Sequence, residues 1–431
     1  MFLNEQLLMS MKRKLIVGER IMYANGETPI NGVFAVKVCG NFVLPQLQDA
    51  LNKIQQKHYL LRTAIETDKA GKPYFIPNKN VDAINIRTVE RADENDWITQ
   101  SKIEWNKPFN QPNNSLLRFV WIKGETISNF LIVCPHCVCD GATATALMCD
   151  FLLLLDQPQT ELTSYQPFES IPALIANSFT ATKSKIFKTR LLAALAASFF
   201  FLKPASKYKQ GEAYLLHWKI TKEQTAAITA ICKTNSVTTH AVLCVAFLEA
   251  FQFVLGNNAK GKIISPVDIR QFVKEIKHDH MFAFAPIVEL TLNKNKDADF
   301  WQKAKDIRQQ LKAKMAALNV HEMLVMSEYF QSCAKAMVKF LRSTKGSHDV
   351  TLSNMGRLPM QKKYDSFQLL DIYSPSVAFP WRNATTAIIS TFNGQLDFTF
   401  CSNNAFLPEH TAKAIQQKTV QILEESALVY A

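Results

Sequence analysis

The chain has 431 residues, and its 49 Lys and Arg exceed its 37 Asp and Glu for a formal net charge of +12. With 48% hydrophobic and 20% charged residues the composition excludes a disordered chain, and the length exceeds what one hydrophobic core ordinarily serves, which predicts two domains. The basic excess suits an acidic carrier protein, a phosphorylated cofactor, anionic lipid or nucleic acid. No Arg-rich run, zinc-finger spacing or RNP-type aromatic motif is present, so no nucleic-acid partner is expected.

The N-terminus, Met1-Phe2-Leu3-Asn4-Glu5-Gln6, carries an early acid and lacks the basic start and cleavage site of a secretory signal. Gly32 to Val38 reads as a strand with Phe34, Val36 and Val38 on one face. Leu44-Pro45 opens a helix that places Leu47, Leu51 and Ile54 at helical spacing, with proline tolerated in its first turn. Ile127 to Cys134 reads as a buried strand and Ala142 to Leu155 as an apolar helix. Asp156 to Pro172 reads as a loop. Leu191 to Leu202 is an apolar run flanked by Lys183, Lys185, Lys188, Arg190 and Lys203. It is too short to span a bilayer. A buried helix near the domain junction is the expectation, and a basic helix in peripheral contact with a membrane is the alternative.

A second unit starts near Gly211. Ala213 to Ile220 reads as a strand, and Lys222 to Cys232, Thr238 to Leu255 and Asp299 to Met315 as helices. Ala387 to Phe392 and Leu396 to Cys401 flank Asn393-Gly394, a dipeptide that favours a type I′ hairpin turn because both central residues need positive φ. A last helix runs from about Glu409 to Glu424. The expected class is α/β with mixed sheets. The divisions are 1–180, a helical crossover over 181–210, and 211–431. Phe occurs 29 times, which suits a large core or an apolar tunnel. Phe282-Ala283-Phe284 fits an acyl pocket or plain core packing. The nine Cys, an odd number scattered through apolar stretches such as Val242-Leu243-Cys244-Val245, predict reduced core residues of a cytoplasmic protein.

The chemistry concentrates in Pro135-His136-Cys137-Val138-Cys139-Asp140-Gly141. A histidine just past a strand end projects an imidazole that takes and returns a proton near neutral pH. Asp140 pins the local backbone, pairs with an arginine or caps the following helix, and Gly141 admits backbone angles closed to other residues. A bland reading, in which His136 merely caps the strand, fits the local pattern as well. Cys134-Pro135-His136-Cys137 is also a C-x-x-C, which would serve thiol redox chemistry if the first cysteine stood exposed at a helix start. A metal held by Cys134, His136, Cys137 and Cys139 would crowd four ligands into one turn, so no metal is expected. His278 and His280 are read as residues of a solvated loop.

Four separated pieces carry a resemblance. Pro135 to Gly141 resembles the H-H-x-x-x-D-G motif of peptide-synthetase condensation domains and related alcohol acetyltransferases. His58-Tyr59-Leu60-Leu61-Arg62-Thr63 resembles their H-x-x-L-R-T segment. Ser265-Pro266-Val267-Asp268-Ile269-Arg270 resembles the strand with their D-x-R piece. Thr351-Leu352-Ser353-Asn354-Met355-Gly356 resembles their S-N-x-G strand end. The resemblance implies two chloramphenicol-acetyltransferase-like domains with an active-site tunnel between them. It implies His136 as catalytic base, Asp140 as a structural acid paired with Arg270, and Asn354, with Ser353 and Gly356 nearby, at the oxyanion or substrate. An acyl-CoA or acyl-carrier protein would be the donor and an alcohol, before an amine, the acceptor, with no permanently bound cofactor. A monomer standing without further domains is expected. Pro135 replaces the first motif histidine. This keeps open a non-catalytic binding or docking protein, and Cys134 with Cys137 keeps open a thiol oxidoreductase.

Overall fold

The computed structural model describes residues 12–26, 28–109, 111, 113–165, 167–202, 209, 211–292 and 298–428. Glu5 and Lys203 lie outside the described residues. After β1 (Arg13–Lys14) and α1 (Val17–Tyr23), β2 (Asn31–Cys39) leads into α2 (Leu44–Lys57), which holds Pro45 in its first turn, where the missing N–H has no helical partner to lose. β3 (Thr63–Thr67) and β4 (Pro73–Pro77) join β1 in a small antiparallel sheet. β5 (Ile86–Glu90), α3 (Asp96–Trp105), β6 (Arg118–Lys123), β7 (Ile127–Pro135) and α4 (Gly141–Asp156) follow.

Phe34, Val36 and Val38 pack with Leu47, Leu51 and Ile54 of α2 and Phe151 of α4, as their alternation predicts. The intervening Val33 and Ala35 are buried as well, in a cluster with Leu131, Leu215, Tyr373 and Cys401. β2 is therefore covered by α2 and α4 on one face, and on the other by Trp97 and Trp105 of α3 together with Leu215, Tyr373 and Cys401 of the second half.

That half runs through α5 (Ile171–Leu174), α6 (Lys183–Leu202), β8 (Ala213–Lys219), α7 (Lys222–Thr234) and α8 (Thr239–Leu255). It continues with β9 (Lys262–Pro266), β10 (Ile287–Thr291), α9 (Phe300–Ala316), α10 (Val320–Ser327), α11 (Ala334–Ser343), β11 (Val350–Arg357), β12 (Gln368–Val377), β13 (Thr386–Phe392), β14 (Gln395–Asn403) and α12 (Glu409–Leu428). Threonine and aspartate caps fix three helix starts: Thr221 accepts from Gln224 N–H, Thr238 from Ala241 and Asp299 from Gln302. The β13–β14 hairpin turns on Asn393 and Gly394, with φ of 47° and 76°, the positive angles that Asn-Gly predicts. α8 is long and apolar enough to cross a bilayer, but Ala241 to Leu248 are fully buried between the sheet and α9 and α12.

The larger sheet has the order β10-β9-β11-β13-β14-β8, parallel across β9, β11 and β13 and antiparallel elsewhere. The other has the order β12-β2-β7-β6-β5. β12 thus belongs by sequence to the second half and by hydrogen bonding to the first sheet, an exchange that a linear division of the chain does not foresee. It stays tied to its own half as well: Ser374 N–H donates to Asp397 Oδ1 at 2.6 Å and Thr399 Oγ1 donates to Ser374 O at 2.8 Å.

One expectation is corrected. α6 is not a buried helix: of its 20 residues Thr189 and Ala193 are buried, and Phe187, Leu191 and Leu202 stand exposed. Hydropathy measures what a segment would prefer, and among the described residues no second layer lies over the outer side of this one.

Candidate active site

β7 delivers its last residue, Pro135, against Asn31 of β2, and the chain leaves the sheet at once. The His136 N–H donates to Ile30 O at 2.7 Å and Val138 N–H to Pro135 O at 3.0 Å, a turn that points the chain toward α4. The His136 ring is half-buried, with the Phe379 ring 5.7 Å away. Its Nδ1 is buried without a protein hydrogen-bond partner among the described residues. Burial lowers its pKa below the ordinary histidine value, opposed by the nearby charge of Asp140. Burial thus favours the neutral imidazole, the form able to accept a proton.

Asp140 ends the turn. Its Oδ1 accepts from Thr143 N–H and Thr143 Oγ1, both at 2.9 Å, which caps α4. The same carboxylate meets Arg270, so the structure joins the cap and the ion pair in one residue. Nη1 donates to Asp140 Oδ2 at 2.6 Å and Nη2 to Oδ1 at 3.2 Å. The guanidinium also donates to His280 O, Lys277 O and Asp268 Oδ1. Burial works against its charge, but Asp140 and then Asp268 outweigh it and raise its pKa above the arginine value. Arg270 is not on a strand: β9 ends at Pro266, Asp268 caps a turn of 3₁₀ helix, and Arg270 sits within it.

Gly141 is absent from the positive-φ residues, and a Cβ there would make only ordinary contact with the Met355 side chain, 3.4 Å from Cε, so neither backbone angle nor space demands glycine. That contact brings the end of β11 against the His136–Asp140 turn. Within β11, Ser353 and Asn354 are half-buried, and Asn354 Oδ1 accepts from Gly356 N–H at 2.9 Å. Gly356 has φ 68° at the point where the register with β13 shifts, so the strand breaks out of its ladder at the S-N-x-G motif.

The H-x-x-L-R-T segment does not reach His136 in this way. His58 is buried at the end of α2, and burial lowers its pKa. Its neighbour Lys57, which the motif reading passed over, bridges Asp150 of α4 at 2.7 Å and Asp279 at 2.8 Å. His280 is corrected from solvated loop to packed residue: it lies against Tyr165 with ring centroids 4.2 Å apart, and burial pushes its pKa down to about 4. His278 is exposed. Residues 277–280 are thus strapped to the first half by Lys57 on one side and by Arg270 with Asp140 on the other. Lys57, Asp150 and Asp279 gave no sequence signal beyond isolated charges. Phe282 is fully buried beside Ile16, Ile269 and Val273, so it packs a core.

The thiol reading is also corrected. Cys134 and Cys137 are buried, and burial pushes the Cys137 thiol far up, away from thiolate. α4 begins at Gly141, well past Cys134. Neither the exposure nor the helix-start acidity that thiol redox chemistry requires is present.

Two family models match the chain: Condensation domain over residues 24–259, and Phthiocerol/phthiodiolone dimycocerosyl transferase C-terminus over residues 210–400. A search of curated proteins finds no match. Among solved structures, polyketide synthase associated protein 5 from Mycobacterium tuberculosis is 16% identical and superposes with a TM-score of 0.68 over 97% of this chain and 99% of that one. Trichothecene 15-O-acetyltransferase TRI3 from Fusarium sporotrichioides is 11% identical, with a TM-score of 0.69 over 96% and 95%. The first condensation domain of the calcium-dependent antibiotic synthetase is 13% identical, with a TM-score of 0.69 over 97% of both chains.

Proposed function

Because the chain belongs to the condensation-domain family, we propose that it is an acyltransferase that moves an acyl group from a CoA or carrier-protein thioester to an alcohol. The carrying observation is the half-buried His136 just past the end of β7, on a turn held by Asp140 and Arg270, where burial lowers its pKa. In this reading the imidazole removes the proton of the acceptor hydroxyl as its oxygen attacks the thioester carbonyl. The tetrahedral oxyanion is met by Asn354 Nδ2, whose side chain Gly356 orients through Oδ1. Collapse breaks the C–S bond, and the imidazolium returns its proton to the departing thiolate. Donor and acceptor are both substrates, and no resident cofactor takes part.

An alcohol acceptor is favoured over an amine by the likeness to a 15-O-acetyltransferase. The test is thiol release from acyl-CoA or acyl-carrier protein with a panel of alcohols and amines, with products identified by mass. Release that depends on an alcohol supports the reading. Pro135 favours a second reading, a non-catalytic binding protein on the same fold, because it stands where the family motif has its first histidine. That reading predicts thioester binding without release for every acceptor.

A further inference from the structure

α6 carries no Asp or Glu; its first eight residues are mostly polar and basic, and from Leu191 to Leu202 it is apolar nearly all round. A helix of that kind is ordinarily covered on every side. Here protein covers one side: Thr189 and Ala193 are buried, and Phe200 packs on Phe340 of α11 at 5.0 Å. The opposite side faces outward. Seven of the fourteen large apolar side chains exposed among the described residues lie on this helix, which sets it apart from the single apolar residues any surface scatters. Phe187, Leu191 and Leu195 follow one another at i, i+4 and i+8 and are 70%, 52% and 59% exposed. Leu192, Phe201 and Leu202 widen the stripe along the same outer side.

Cations border it. Lys183, Lys188 and Arg190 are exposed on α6, and Lys335 and Lys339 on α11, with Lys339 Nζ 5.8 Å from the Phe201 ring. Lys185 is engaged by Glu322 of α10 at 2.9 Å. We propose that α6 is a membrane-interface helix that lies flat on an anionic bilayer. The Phe187-Leu191-Leu195 stripe enters the upper acyl region, and the bordering lysines and Arg190 meet the phosphates. The charges decide the occupant. A second copy docked on this face by two-fold symmetry would set one cationic face against another, whereas anionic headgroups complement it. α11 carries Val338 into a cluster with Ile30 and Trp381, and Trp381 stacks on the Phe379 ring beside His136. Bilayer contact on α6 therefore connects to the candidate site through α11, Trp381 and Phe379.

The test is co-sedimentation of the full chain, without substrate, with vesicles of phosphatidylcholine alone or mixed with phosphatidylserine. Binding to the mixed vesicles is expected, weakened by salt and weaker on phosphatidylcholine alone. L191S/L195S alters two outward residues, so the melting temperature is expected to hold while vesicle binding falls at least about tenfold. K183E/K188E keeps the stripe and is expected to lose the preference for phosphatidylserine. Absence of wild-type binding, or equal binding by L191S/L195S, overturns the proposal. So does a vesicle-free dimer that L191S/L195S dissolves, because the face would then be covered by a second copy.

Discussion

Arg270 donates to both carboxylate oxygens of Asp140, at 2.6 and 3.2 Å, and so clamps the β7–α4 turn to a segment 130 positions away. The guanidinium is 6% exposed and the carboxylate 19%. Two charges this far from water stabilise little as a pair, but losing one leaves the other without compensation. Arg270→Ala is expected to lower unfolding stability by about 3–5 kcal/mol, read by urea denaturation. Arg270→Lys recovers part of this, because an ammonium does not reproduce the two-pronged contact. Asp140→Asn combined with Arg270→Ala costs less than the sum of the two.

With His136 as the base proposed above, its lowered pKa sets the acid limb of activity: the rate is expected to be flat around neutrality and to fall only as the pH drops through the lowered value. A profile of kcat/KM against pH is expected to place that midpoint below 6.5, the ordinary histidine value. The same shift makes the unfolded chain bind the proton first, so acidification below 6.5 also erodes stability. A limb centred above 6.5 assigns the titration to another group.

Lys57 stands between Asp150 and Asp279. Although burial opposes it, the contact with Lys57 holds the Asp279 carboxyl below the usual carboxylate value, while Lys57 itself is raised. Stability from Asp279 is thus complete above its unfolded value of 3.8 and is lost as the pH falls through the lower folded one. Lys57→Met leaves two carboxylates facing each other and is expected to cost about 3–5 kcal/mol near neutral pH. Thermal melts at pH 7 and below 3 check the sign: the difference from wild type shrinks in acid.

The thiols at the turn are structural. C134S/C137S is expected to keep acyl transfer within about a factor of ten, limited by the polarity added to two buried sites. In the native protein both cysteines resist a thiol-labelling reagent until denaturant is added. Rapid labelling under native conditions contradicts their burial.

Much of this was legible locally. The alternation of Phe34, Val36 and Val38, the helix read from Asp299 to Met315 and the Asn393-Gly394 turn are properties of short segments, and each forms where its sequence places it, with Asp299 as the helix cap. The turn from His136 to Gly141 is local too, although its contact with Met355 of β11 is one that no neighbour in sequence reveals. Asp140 and Arg270 were joined only by the resemblance. Lys57 and Asp279 were not joined at all, because an ion pair 222 residues apart leaves no periodic trace. β12 crosses to the other sheet for a reason that lies in the partner strands: its edge pairs with β2 while Ser374 Oγ donates to Asp397 O of β14. The exposure of α6 was missed because apolar composition states a preference and not whether a covering layer exists.

The central claim is that His136 takes the acceptor proton. The most direct measurement is thiol release by His136→Ala beside wild type, with the alcohol that wild type uses and with matched melting temperatures. A loss of about 10²–10⁴-fold in kcat/KM is expected for removal of a general base. Full turnover by His136→Ala would contradict the account.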